Sequence, residues 1–401
     1  MITLLKVHPN NSNIIYAASS NIAARIYKSS DAGNTWSTIL THWGIDKIYD
    51  IEFAIGRPDT IFISDGDNRD WDKAGIYRSF DGGINWTEVT PSSQQSERYE
   101  MATSNAEPGK IYTAFFDELD SANKVFSSSD WGDTWQLVAN LGSIDKLGYW
   151  KNEFVINQLN PNIMYFGAIA TFKYNDSTGL RTTISDSYFG SSYPNTHADI
   201  RDLQILSSSY DGSNDILLIA TDGGTSKSYN GGGSWKDLNG NGPCITQFYD
   251  MSVSSFGKNY YAGGTQDNST FFHKNSTWDN FFSGDGGQTI ISWSNPNRIF
   301  FRMNERIYTS SNFGISSNSI SLIGNASHRF VDAVMNQNAL DSTIIYVSKG
   351  MDFKRIKQTG TNSFASTNFP NLMLSTGLTD SSAAYYFVLS CKKRKKLKKM
   401  L

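Results

Sequence analysis

An all-β fold assembled from repeated four-stranded sheets is what this 401-residue sequence predicts, and three observations predict it. An octapeptide is written three times: SSDAGNTW at 29–36, SFDGGINW at 79–86 and SSDWGDTW at 128–135. Short runs rich in β-branched and aromatic residues flank each copy at constant offsets. The composition is rich in turn formers, with Gly at 33 and aromatics at 13%, while long Ala/Leu/Glu/Lys stretches of 3.6-residue period are missing.

Each repeat supplies its strands in order. Ahead of the octapeptide stand NIIYAAS (13–19), TIFISDG (60–66) and KIYTAFF (110–116). Another run follows (RIYKSS, GIYRSF, KVFSSS), and after the Trp comes the fourth strand (STIL, TEVT, QLVA). Setting Ile15, Ile61 and Ile111 in register gives periods of about 46 and 50 residues. Weaker copies continue the series. NIMYFGA (162–168) opens a unit without the octapeptide, and DILLIATDGGTSKSYNGGGSW (215–235) carries Asn230 where Asp is expected. KNYYAGG (258–264), NRIFFRM (297–303) and TIIYVSK (343–349) mark three more, the middle one followed by SSNFGISS without its Trp. Four strands per unit at this period predict a β-propeller of four-stranded antiparallel blades, about seven to eight of them. A lone sheet of this kind exposes both faces and both edges, and packing blade on blade buries the faces. The propeller is expected over 1–388, as a complete ring or as part of a larger or double one.

Seven of the last ten residues are Lys or Arg, so the body is more acidic than the formal net charge of −3. It has no basic stripe suited to a phosphate backbone, and nucleic acid is not an expected partner. The basic run at 389–401 reads as a solvated, disordered tail. Cys244 and Cys391 make neither a disulfide framework nor a metal-ligand spacing. No apolar run is long enough to span a membrane. The N-terminal MITLLKVHPNNSNIIY lacks the features of an export signal and opens directly in a repeat, as a fragment of something longer would.

Every octapeptide position has a folding reason. Gly33, Gly83, Gly132 and Gly232 permit a positive φ. Asp31, Asp81 and Asp130 can accept hydrogen bonds from turn amides, and Ser29, Ser79 and Ser128 can satisfy further backbone groups. Trp36, Trp86, Trp135 and Trp235 are expected to start the fourth strand and pack between blades. This turn joins strands three and four. Connections from strand two to three, and from blade to blade, then lie at the opposite end, where chemistry would sit. Those segments include SDGDNRDWDKAG (64–75), FFDELDSAN (115–123), TDGG (221–224) and TQDNST (265–270), with THWGIDK, LGYWKNE, NTHADIRD and SGDGGQ between blades. They gather carboxylates and amides around Trp43, Trp71, Tyr149 and Trp150. Flat rings that stack on sugar faces, beside polar groups that bond hydroxyls, suit a glycan. His197 with Asp199, and Gln266, Asp267 and Asn268, complete the candidate binding set. SDGDNRDWD leaves room for a structural calcium, although Arg69 stands at a ligand position and no closing Glu follows; no other cofactor is expected.

The octapeptide resembles the Asp-box (BNR) repeat. HADIRDLQI, ATDGGTSKSYNGGGSW, ITQFYDMSV, YAGGTQDNST and SGDGG, in that order, resemble the sortilin-like, glycosyl-hydrolase-like BNR propellers of secreted bacterial proteins. The resemblance implies an extracellular or cell-surface location and a polysaccharide or protein ligand. It is similar also to the xyloglucanases, where one catalytic Asp stands in TDxGG and another in GDxxGF on facing propellers. Carried over, that implies Asp222 in TDGG and Asp285 in GDGG, the latter without the Phe, as acid and base of an inverting hydrolase. Sialidases share the repeat, but their arginine cluster and Arg-Ile-Pro segment are missing. The function expected is a glycan- or protein-binding scaffold, with the hydrolase as the alternative.

Overall fold

The computed structural model describes residues 2–368, apart from 21–22, 44–46, 68–69, 93–95, 97, 118, 120, 144–152, 187–193, 195, 239–245, 257–258, 282–283, 304–305, 321–332, 338–340, 350–351 and 361–362. The tail at 389–401 lies outside the described residues. Among the described residues there is no helix, and the strands form eight four-stranded modules. The chain divides into two compact units, Met1–Cys244 and Ile245–Leu401.

The first unit holds five antiparallel sheets, at 2–43, 47–88, 100–142, 153–185 and 200–237. The second holds modules at 248–281, 284–319 and 333–368. The sixth and seventh modules join through a two-residue parallel bridge, Asn268 opposite Gly284 and Ser269 opposite Asp285, into one eight-stranded sheet. In each module the strands run in sequence order, each antiparallel to the last.

Packing follows from the strand sequences. The second strands Ile111–Asp117, Ile163–Gly167 and Ile299–Met303 are buried along their whole length. A strand covered on both faces needs apolar residues at consecutive positions, and IYTAFF, IMYF and IFF supply them. Each core lies between successive sheets. Ile26, Ile48, Ile61 and Ile63 fill the first seam, Phe62, Tyr99, Met101 and Phe115 the second. Phe272, Phe301 and Phe313 fill the seam between the sixth and seventh modules, and Phe300, Ile345 and Ile356 the next.

The octapeptides form one turn five times over. In the first, Ser29 Oγ donates to Asp31 Oδ1 at 2.8 Å and accepts from Gly33 N at 2.8 Å. Asp31 Oδ1 also accepts from Thr35 N at 2.8 Å, and Thr35 Oγ1 donates to Asp31 Oδ2 at 2.6 Å. Asp81 and Asp130 repeat these bonds with Ser79, Asn85, Ser128 and Thr134. The bonds from Thr35, Asn85 and Thr134 hold all three carboxyls down at about 2. Asn230 and Asn312 take the same place, each accepting from the residue four positions on at 2.8 and 2.9 Å. Position five is left-handed, with Gly33, Gly83, Gly132, Gly232 and Gly314 at φ 89–97°. Position four is left-handed too, even where it is Ala32, Trp131 or Phe313, which composition alone did not suggest.

The turn also locks neighbouring sheets together. A Cβ on Gly83 would stand 2.4 Å from Ile39 Cδ1 of the preceding sheet, and one on Gly232 would stand 2.5 Å from Ile184 Cδ1. Trp135 Nε1 donates to Val89 O at 2.6 Å and Trp235 Nε1 to Ile184 O at 2.8 Å, each reaching back one sheet. Trp36 and Trp86 instead donate to Gly33 O and Gly83 O of their own turns. In the octapeptides that end in Trp, that Trp precedes the fourth strand by one residue instead of starting it.

Candidate functional site

The turns from strand two to strand three lie at the opposite end of each sheet from the octapeptides. In the fifth sheet this is the turn at 221–224. Thr221 Oγ1 donates to Gly224 O at 3.0 Å and accepts from Gly223 N at 3.1 Å, which leaves Asp222 at the tip. The neighbouring strand Ile200–Ser207 carries a bulge between Ile200 and Asp202. The bulge frees Arg201 from the pleat, and its Nε and Nη2 grip both oxygens of Asp222. Asp222 keeps 15% of its side chain accessible and Arg201 36%. His197 lies against the same turn, where a Cβ on Gly223 would stand 2.2 Å from its ring. Its Nδ1 meets Ala198 O at 3.0 Å. Asp199 is half-buried at φ 60°, and Ile200 N donates to Ala168 O of the fourth sheet at 2.7 Å. HADIR and TDGG are thus two halves of one knot, and the first Gly of TDGG, Gly223, makes room for the histidine.

The second unit builds a corresponding knot around Asp285. Asp285 Oδ1 accepts from Asp267 N at 2.9 Å. Gln266 N donates to Gln247 O at 2.9 Å, Gln266 O accepts from Asn268 N at 2.6 Å, and Thr265 Oγ1 donates to Ser269 O at 2.7 Å. Asp267 and Ser269 are left-handed at φ 57° and 78°. Two backbones cross so closely that a Cβ on Gly264 would stand 1.9 Å from Gly287 O, and one on Gly286 2.2 Å from Ser269 O. The glycines of YAGGTQDNS and GDGG answer that close approach. Gln266, Asp267, Asn268 and Asp285 are brought together here, and His197, Asp199 and Asp222 in the first unit. The side chains of Trp43 and Trp71, and Tyr149 and Trp150 entirely, lie outside the described residues, as do those of 67–73 in the calcium-like loop. Asp65 of that loop is buried and accepts from Gly75 N at 3.0 Å. Among the described residues no three His, Cys, Asp or Glu side chains gather as a metal site would need.

The structure adds charged groups that motif reading missed. Lys6 Nζ and Thr103 Oγ1 converge on Glu52 at 3.1 and 2.8 Å, joining the first strands of the first two sheets to the third. Glu52 raises the Lys6 ammonium above its ordinary value. Asp50 accepts from Ile51 N at 2.8 Å and from Met101 N of the next sheet at 3.0 Å. Asp250 does the same towards Thr289 N at 3.0 Å, and burial raises its carboxyl. Both residues follow a Tyr, at 49–50 and 249–250, within the first strand of their module. Arg98 pairs with Glu100 in a buried contact and stacks 4.7 Å from the Tyr49 ring centre. Lys124 Nζ meets Asp117 Oδ2 at 2.7 Å.

No family model matches the chain, and no curated protein matches it in sequence. Among solved structures it is similar to the GH74 enzyme of Niastella koreensis, with a TM-score of 0.59 and 14% identity over 90% of this chain and 56% of that one. The GH74 xyloglucanase from Xanthomonas campestris gives 0.49 and 12%, over 90% and 63% of the two chains. YCF48 from Cyanidioschyzon merolae gives 0.34 and 11%, over 75% and 92%. At such identities the likeness is one of fold: the chain is an all-β protein of β-propeller class. It spans just over half the length of the Niastella enzyme.

Proposed function

We propose that this chain is an Asp-box (BNR) propeller of the sortilin-like group, working outside the cell as a scaffold that binds a glycan or a protein at the ends opposite its octapeptides. One observation carries this reading: both carboxylates that a xyloglucanase-like mechanism would use are engaged in holding loops. Arg201 clamps Asp222 on both oxygens, and Asp285 caps the amide of Asp267. A bidentate guanidinium occupies both oxygens through which Asp222 would give or take a proton.

Trp43, Trp71, Tyr149 and Trp150 are proposed as the stacking rings, with His197, Asp199, Gln266, Asp267 and Asn268 as polar partners. A glycan array with the wild-type chain and with Trp43→Ala and Trp150→Ala tests this. Binding that falls at least tenfold in either variant supports the platform, and full retention in both removes it. Incubation with xyloglucan tests the hydrolase alternative. Release of reducing ends that disappears in both Asp222→Asn and Asp285→Asn would overturn the scaffold reading.

A further inference from the structure

The first two seams between sheets are closed at the octapeptide end in the same way. At the first seam, Lys28 Nζ and Tyr16 OH donate to Gly82 O of the following sheet's octapeptide at 2.9 and 3.1 Å. At the second, Arg78 Nη1 donates to Trp131 O and Asp133 Oδ1, both at 2.8 Å. A long cation from one sheet thus plugs into the next sheet's turn.

Among the described residues, the seam between the seventh and eighth modules lacks both parts. The residue in register with Lys28 and Arg78 is Thr309, since the strand partners Tyr16, Phe62 and Phe300 occupy matching places. The eighth module has no octapeptide. Its third and fourth strands, Asp352–Gln358 and Phe364–Asn368, are joined by a short hairpin in which Thr359 N donates to Ser363 O at 2.8 Å. The space left over is a cleft of about 350 Å³, lined by Arg298, Thr309, Ser311, Asn318, Thr343 and Gln358. It lies wholly within the second unit.

Arg298 is the single cation among the residues lining the cleft, and its environment is unusual. Nη1 donates to Thr309 Oγ1 at 3.2 Å and to Gln358 Oε1, while Nε is buried without a hydrogen-bond partner. No carboxylate pairs with it among the described residues, and burial lowers its proton affinity with no charge to offset it. The third sheet shows what is missing. Lys110 stands one residue before Ile111, as Arg298 stands before Ile299, and each backbone N–H closes a turn onto the carbonyl three residues earlier. In the third sheet that earlier residue is Glu107, whose carboxylate meets Lys110 Nζ at 2.9 Å. In the seventh it is Asn295, which has no charge.

We propose that this cleft is a binding site for a sugar acid of hexuronate size, whose carboxylate takes the place that Glu107 fills in the third sheet. The guanidinium matches a carboxylate in planar, two-pronged fashion. The hydroxyls of Thr309, Ser311 and Thr343 and the amides of Asn318 and Gln358 suit ring hydroxyls. The volume is at the lower end of the ~300–1,000 Å³ of small-molecule sites, which fits one ring better than a chain. This site is separate from the loop ends proposed above and stands or falls without them.

Calorimetric titration of the full chain with D-glucuronate, D-glucose and inorganic phosphate tests the assignment. Saturable one-to-one binding of glucuronate is expected, with glucose and phosphate each at least tenfold weaker. Arg298→Gln should weaken glucuronate at least tenfold. Asn295→Glu keeps the arginine and supplies an internal counter-charge, so it should weaken glucuronate to a similar degree while unfolding at the same or higher temperature. The proposal is overturned by absent glucuronate saturation, by phosphate binding as tightly as glucuronate, or by undiminished binding in Asn295→Glu.

Discussion

The fifth sheet has two ends, and they hold their loops by different physics. At one end Asn230 sits where three other turns have Asp, and the hydrogen-bond pattern is kept: Asn230 Oδ1 accepts from Ser228 Oγ at 3.0 Å and from Ser234 N at 2.8 Å. At the other end Asp222 holds its turn through a charge, with Arg201 on both oxygens. An amide can imitate a carboxylate as an acceptor of N–H and O–H bonds, but it cannot replace one against a guanidinium. The octapeptide end therefore depends on shape and the opposite end on charge, which is why a repeated Asp in the first place is no sign of chemistry.

The sharpest way to break this comparison is through shape. Gly232→Val combines a left-handed φ of 92° with a Cβ 2.5 Å from Ile184, so it should cost about 3 kcal/mol. Gly56→Val, at φ 79° with nothing within 4 Å, should cost only about 1 kcal/mol from backbone strain. Urea unfolding of both variants measures the difference, and equal midpoints would show that the turn does not lock onto its neighbour.

Charge comes next. Asp222→Asn should lose about 1–2 kcal/mol, because Arg201 forfeits a charge-assisted partner at a partly accessible site. A midpoint unchanged in low salt would mean that the pair holds nothing. Trp135→Phe should lose about 1 kcal/mol with the bond to Val89 O, and Trp86→Phe less, since its indole bonds only within its own turn. Thermal unfolding of the two variants ranks them.

The smallest effect at neutral pH should come from Asp81→Asn. Hydrogen bonds from the Asn85 backbone and side chain hold the folded carboxyl at about 2, against about 4 for an unfolded Asp. A depressed folded value stabilises the fold above pH ~4, and that contribution fades as pH falls towards ~2. Asp81→Asn should flatten this part of the acid-unfolding curve while leaving the pH 7 midpoint nearly unchanged, and Asn230→Asp should steepen it. Identical acid limbs in all three proteins would contradict the assignment.

Much of this fold is legible locally. A turn of eight residues contains nearly all of its own partners, so Ser29, Asp31, Gly33 and Thr35 announce it without reference to the rest of the chain. The alternation of strands and turns follows from residue types a few positions apart. The loop knots are another matter. Asp222 is held by a residue 21 positions earlier, and the bulge at Ile200–Asp202 that frees Arg201 leaves no mark in the hydrophobic pattern. Gly223 looks like any turn glycine until His197 is seen against it. Gly264 and Gly287 meet because two strands of neighbouring modules cross, which no spacing predicts.

By itself the sequence determined the strand count per repeat, the turn between strands three and four and the residues that staple it, because those depend on contacts within a few residues. Only the tertiary structure decided which carboxylates are clamped, where the seam between the seventh and eighth modules opens beside Arg298, and that the chain separates into two units. The clamps join groups 18 and 21 positions apart, whose meeting depends on how strand packs on strand and not on the order in which residues are written.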